Sequence, residues 1–430
     1  MFRKISFFCI LSAGGLLSAS LHAQERVGTG MVDMNPAGLY LMNLASGTSQ
    51  NPLSWAMPML MIHFGHWNTM LMGNAFVVDT QQSGPRGGDK LYSTNWLMAS
   101  AAHRVGAKGM FETNLMLSLE PATITDRRYP LLFQTGETAY GQPIADGQHP
   151  HNLIMGLGVH YAYEVAENTI VDLYAAPVGD PALGPIAYPH RASALELPQA
   201  AISHHWQDST HISDDVVTLG ISRGKVKVEA SGFHGAEPGE NRWIIQQGTI
   251  DSWSARLWYF PAKNWAAQVS GGRIAHPEAL APGDQIRLTG SLHYTRPMAR
   301  EGSAWSSSFV WGRNHDTGTP HNLNSYLAES VVPVGARNFI TGRAELVDKD
   351  ELFSDEPEIE ERLAASAGST FRVGSYTIGY TRDIPMFERL ETGIGFNFSA
   401  YSLPAAIKPW YGDHPAGGNV FIRIRLKPPA

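Results

Sequence analysis

The stretch Gln285-Ile286-Arg287-Leu288-Thr289-Gly290-Ser291-Leu292-His293-Tyr294-Thr295-Arg296 decides the fold. Ile286, Leu288, Gly290, Leu292 and Tyr294 fall on one side of an extended chain, and Arg287, Thr289, Ser291, His293 and Thr295 on the other. Strict alternation with charge on one side marks a strand with one apolar and one polar face. A helix would scatter the same apolar residues around its circumference. The pattern recurs. Leu390, Thr392, Ile394, Phe396 and Phe398 oppose Glu391, Gly393, Gly395, Asn397 and Ser399, and Val420, Ile422, Ile424 and Leu426 oppose Phe421, Arg423, Arg425 and Lys427.

Between such segments the connections alternate in length. Short turns fall near 66–67, 105–106, 166–168, 223–225, 262–264 and 333–335. Long connections cover 80–92, 120–150, 176–213, 235–249, 275–284, 314–321, 348–363 and 402–417. Short turns at one end and long loops at the other are the habit of a transmembrane antiparallel β-barrel. With a first strand placed at 38–44 the expectation is about 18 strands, with 16 as the other even number that fits. Trp253, Trp258, Tyr259, Phe260, Trp265, Trp305 and Trp311 gather near strand ends, as interfacial girdles do. No repeat of fixed period supports a propeller.

The chain has 430 residues and a net charge of −7, which gives no reason to expect a nucleic-acid partner. Arg3 and Lys4, an apolar run over 5–17 and a cut after Ala23 read as a secretory signal over 1–23. Residues 24–35 read as a flexible lead too short to plug a barrel, and 36–430 as one barrel domain. The one cysteine, Cys9, falls in the signal, so the mature chain has no disulfide, thiolate metal site or cysteine nucleophile. Beyond the signal no apolar run reaches ~18 residues, which excludes a helical membrane protein. The expected location is the outer membrane of a Gram-negative bacterium, with membrane lipids and the barrel-assembly machinery as partners.

Histidines concentrate in the long loops. Gln148-His149-Pro150-His151-Asn152 carries a His-x-His pair, and 204–211 carries His204, His205, Asp208 and His211. His234 and Glu237 follow in the next external loop. Imidazole and carboxylate without thiolate suit a divalent transition metal, Cu or Zn, as candidate cofactor. A hydrogen-bonded network that stitches the loops together fits the same residues. Met110 and Met116 fall on a lumen face, as do Met57, Met59, Met61 and His63 on one face and Met70 and Met72 beside Asn74. Thioethers bind soft ions such as Cu(I), and they also fill irregular gaps.

The segments 148–152, 204–211 and Tyr411-Gly412-Asp413-His414-Pro415 resemble a poorly characterised family of bacterial outer-membrane barrels with His-rich loops. In architecture and His/Met content the chain is also similar to outer-membrane copper-resistance proteins, without their Met-rich leader. The resemblance implies the barrel and no specific activity. Three functions follow as expectations. The first is a porin-like channel for small polar solutes or transition-metal ions, with Lys225, Lys227, Glu229, Arg287, Glu391, Arg423 and Arg425 on the lumen face and 176–213 able to fold inward. The second is a metal-binding or structural barrel without transport. The third is a hydrolase using Ser203, Ser209 or Ser213 with His204, His205 or His211 and Asp208, although no nucleophile-elbow motif is present and the balance leans away from an enzyme.

Overall fold

The computed structural model describes residues 34–279, 283–298, 303–318 and 321–427. The expected signal and nearly all of the expected lead lie outside them. The strands are β1 Leu60–Phe64, β2 Trp67–Gln82, β3 Asp89–Val105, β4 Gly109–Leu117, β5 Tyr129–Ala139, β6 Gln142–Gln148, β7 Ile154–Ala166, β8 Thr169–Gly179, β9 Ser213–Arg223 and β10 Val226–His234. They continue as β11 Ser252–Tyr259, β12 Trp265–Ile274, β13 Gln285–Pro297, β14 Ala304–Asp316, β15 Asn322–Val334, β16 Asn338–Lys349, β17 Phe371–Asp383, β18 Leu390–Ser402 and β19 Ala416–Leu426.

Strands β2, β3, β4 and β7 to β19 pair antiparallel in a closed ring of sixteen, with β19 returning to β2. Closure leaves no barrel edge, so backbone groups at bilayer depth are paired between strands. Strand β1 is an addition on the same side of β2 as β19. It pairs with the beginning of β2 (Leu60 with Leu71, Phe64 with Trp67), and β19 takes the remainder (Arg425 with Asn74, Gly417 with Gln82). Strands β5 and β6 form a separate hairpin within the connection from β4 to β7.

The faces follow the alternation in the sequence. Leu288, Leu292, Ile394, Phe396, Phe398, Val420, Ile422 and Ile424 are exposed on the outside, while Arg287, Thr289, Ser291, His293, Asn397, Arg423 and Arg425 are buried inside. Leu292→Arg is therefore expected to destabilise the barrel by about 2–4 kcal/mol, the cost of a cation on the lipid face at mid-bilayer. Urea titration of the protein refolded in lipid measures it, and no change in midpoint would refute the face assignment. Arginine at Ser118 or Ser291 would be tolerated in a water-filled lumen, but here both serines are packed, at 1% and 7% exposure.

The lumen is filled from two directions. Residues 38–44 do not form the expected first strand. Helix α1 (Pro36–Met42) starts there, with Asn35 Oδ1 accepting the Gly38 N–H and Pro36 in the first turn, both helix-start signals. It lies inside the barrel, with Tyr40 Oη donating to Asp172 Oδ1 at 2.7 Å. Thr48 Oγ1 donates to Glu229 and Lys227 Nζ to the Thr48 carbonyl, so this stretch fills the lumen instead of adding a strand to the wall.

The second filling is the connection from β8 to β9, residues 180–212, almost all buried. It does not stand outside the mouth. Thr94 Oγ1 donates to the Pro198 carbonyl, Arg256 Nη1 to the Gly184 carbonyl and Arg287 Nη2 to the His205 carbonyl, tying the loop to widely separated strands. Gly312 on β14 makes room for it: a Cβ there would lie 2.1 Å from the Trp206 carbonyl oxygen.

Candidate functional site

The inward loop meets the wall through charge. Arg191 Nε donates to Glu329 Oε1 at 2.6 Å, and Arg343 Nε donates to the other oxygen of the same carboxylate at 2.9 Å. Glu196 accepts from Arg423 and Arg425, and these two arginines also pair with Asp383 and Glu391. Ser193 Oγ lies 2.7 Å from Ser308 Oγ. Lumen charges that would line a solvated pore are matched by the loop or by one another. Of the expected lumen charges, Lys225 alone stands at a turn, where its ammonium donates to the Pro261 carbonyl.

Toward the loop end of the barrel the histidines converge. Helix α2 (Glu120–Thr123) supplies an acidic partner, the chain after β6 supplies His149 and His151, and helix α3 (His204–Gln207) supplies His204 and His205. Successive ring centroids lie 5.6 Å apart for His149–His205, 5.3 Å for His205–His204, 5.2 Å for His204–His211 and 5.3 Å for His211–His151. The result is a continuous belt of buried imidazoles with Tyr188 packed against it.

The belt is hydrogen-bonded at several points. His204 Nδ1 donates to Asp208 Oδ1 at 2.7 Å, and His211 Nδ1 donates to the Asp208 carbonyl at 2.7 Å. Tyr188 N–H and Arg191 Nη1 both donate to Asp208 Oδ2. His151 Nδ1 lies 3.0 Å from Glu120 Oε2, and the Tyr188 hydroxyl donates to His151 Nε2 at 3.1 Å. Burial pushes His149 down to about 4, and pushes His205 and His211 well below the ordinary imidazole value, so these rings are neutral at pH 7. Burial alone would raise the Asp208 carboxyl, but His204 and Arg191 outweigh it and hold the group ionised.

The other two expected ligands separate. His234 ends β10 and turns to Asp251 and the Thr249 carbonyl, outside the belt. Glu237 instead joins His205 and Glu278, and their ligand atoms all lie within 4.8 Å of one another. Among the described residues this is the group of three histidine or carboxylate donors that close. Glu278 was missed by sequence reasoning. Its one signal is a carboxylate next to His276-Pro277 in an external loop, and nothing in the chain shows which loops touch.

The serines considered for hydrolysis do not meet the imidazoles. Ser203 Oγ donates to Glu345 Oε2, Ser213 Oγ donates to the Thr210 carbonyl, and Ser209 Oγ accepts from Arg287. The methionines do face inward. Met72, Met98, Met116 and Met155 form one buried cluster with Met57 and Met59 against it. Within the inward loop His190 sits beside it, its Nε2 3.3 Å from Met116 Sδ and its ring packed on Trp96.

The seating of the loop is expected to depend on pH through His190. Burial lowers its pKa to about 4, against about 6.5 when free. The released loop therefore takes up a proton before the seated loop does. The stabilisation is complete above pH 6.5 and is lost as pH falls toward 4, by about 3 kcal/mol at most. Hydrogen exchange of residues 186–196 is expected to accelerate between pH 7 and pH 4.5 beyond its intrinsic pH dependence, and His190→Leu to blunt that acceleration. Identical profiles for the two proteins would refute this.

No protein-family model and no curated protein matches the sequence. Solved structures do match. An anion-selective porin from Comamonas acidovorans aligns at TM-score 0.50 and 12% identity, over 84% of this chain and 99% of its own. OprB of Pseudomonas putida aligns at TM-score 0.52 and 9% identity, over 84% of this chain and 94% of its own. The likeness is one of fold, and with the closed ring and apolar outer belt it makes this chain a Gram-negative outer-membrane β-barrel of porin-like architecture.

Proposed function

We propose that the protein is a transport barrel for small polar solutes or ions, held shut in the conformation described by its inward loop. One observation carries the reading: buried wall charges, Arg423, Arg425, Glu329 and Arg343, are matched largely by groups of 180–212 or by one another across the wall. A wall built only to be stable has no need of so many buried ions, since apolar packing serves stability as well or better. Wall charges of both signs, once released, select polar and zwitterionic solutes. The anion selectivity named for the Comamonas porin belongs to that protein; here the lumen carries both signs.

The filled lumen itself favours a second reading, a metal-binding or structural barrel that passes nothing. Solute entry into proteoliposomes separates the two. The transport reading expects entry of zwitterionic and neutral small solutes, slow in the native protein and fast when the loop is displaced. Failure of every small solute to enter, with and without the loop, would leave the non-transporting barrel.

A further inference from the structure

We infer that His205, Glu237 and Glu278 form a binding site for a divalent transition-metal cation, with zinc the ion that fits best, at the point where three external connections meet. His205 belongs to the inward loop, Glu237 to the connection from β10 to β11 and Glu278 to that from β12 to β13. Their ligand atoms lie within 4.8 Å of one another, close enough for small side-chain movements to bring all three onto one ion. His205 Nδ1 is already 4.0 Å from Glu278 Oε1.

The second observation is independent of that proximity. His205 is 4% exposed, yet neither ring nitrogen has a hydrogen-bond partner. A buried imidazole without a partner carries the desolvation cost of its polar atoms and gains nothing in return. One Glu237 carboxylate oxygen is likewise buried and without a partner. A coordinated cation takes one imidazole nitrogen and the carboxylate oxygen.

The surroundings hold the three donors together. Glu237 N–H donates to the Pro277 carbonyl at 3.0 Å, which locks the two acidic loops side by side. Gly136, at φ 116°, lets hairpin β5–β6 lie against the imidazole, because a Cβ there would come within 2.2 Å of Nδ1. Arg287 sits nearby, but its four hydrogen bonds go to Asn314, Ser209, the His205 carbonyl and Gln285, so neither carboxylate takes a hydrogen bond from it. Glu237 and Glu278 repel each other in this buried place, and a dication between them relieves that repulsion.

One imidazole and two carboxylates make a borderline-to-hard donor set suited to Zn(II), and unsuited to Cu(I), which takes thioether or thiolate. Glu278 is partly open to the outside, so a bound ion can keep water or an incoming solute in its remaining positions. Bound there, it clamps the inward loop to two neighbours at the mouth.

The test is calorimetric titration of the EDTA-treated, full-length barrel in detergent with zinc chloride. The expected result is one zinc per chain, bound at least about 10–100-fold more weakly in Glu237→Gln and in Glu278→Gln. His234→Gln, outside the cluster, should bind as the native protein does. X-ray absorption of the loaded protein should show a nitrogen/oxygen shell with one imidazole. His205→Gln should also lose the site, and if it fails to fold the two glutamate variants still decide. Native protein binding zinc no more tightly than the Glu237→Gln/Glu278→Gln double variant, or a shell with several imidazoles, would overturn the assignment. The readout needs no transport assay, so the site and the transport reading can fail separately.

Discussion

Replacing residues 180–212 with a short Asn-Gly turn is expected to turn a closed barrel into an open one. Gly179 and Ser213 are register partners, so a tight turn can join β8 to β9 without disturbing either strand. The loop carries one side of the Arg191–Glu329 and Glu196–Arg423 contacts, and without it these wall charges face water. A ring of sixteen strands is wide enough for an aqueous channel once the filling is removed. Conductance in a planar bilayer should rise on the order of tenfold or more, with weak selectivity because both signs line the wall. An unchanged, near-zero conductance would mean that residues 34–58 alone seal the lumen.

The second large effect is expected at Arg423. Its guanidinium is fully buried between Glu196 of the loop and Asp383 of β17. Arg423→Met removes the cation that Glu196 and Asp383 share and leaves Glu196 with Arg425 alone, and breaking a buried pair in this way costs about 3–5 kcal/mol. The strain falls on the partner able to move, which is the loop. Arg191, 1% exposed and so shielded from trypsin, should become a cleavage site. The double variant Arg423→Met/Glu196→Gln should recover much of the protection, because it removes a buried charge from each side. Equal trypsin resistance in native and Arg423→Met protein would show that the loop is held by packing alone.

The barrel wall was legible because a strand with lipid on one side and polar groups on the other must alternate. Leu288, Leu292, Ile422 and Ile424 face outward as their spacing requires. Strand number was legible only to within one hairpin, because Leu39-Tyr40-Leu41 is apolar enough for strand or helix. The helix-start signals Asn35 and Pro36 settle that choice. The convergence of His149, His151, His204, His205 and His211 followed from loops leaving one end of a ring. Their depth did not, because burial of a loop depends on partners far away in the chain, such as Arg423 for Glu196. A composition signal was present all the same. Between 180 and 212 the only Asp, Glu, Lys or Arg residues are Asp180, Arg191, Glu196 and Asp208, and Ala182, Ala187, Ala192, Ala194, Ala200 and Ala201 are all buried. A loop in water has no use for so many small apolar residues and so few charges.

The occupation of the lumen by residues 180–212 is the claim on which the rest depends, and a cross-link tests it most directly. Cys9, in the expected signal, is the one cysteine in the chain, so an engineered pair reports without interference from the mature protein. Ser193 Oγ and Ser308 Oγ are 2.7 Å apart, on the loop and on the barrel wall. In the variant Ser193→Cys/Ser308→Cys, the loop-in-lumen arrangement predicts near-complete disulfide formation under mild oxidation and no labelling of either thiol by an external maleimide. Two free thiols, with position 193 labelled readily from outside, would contradict it.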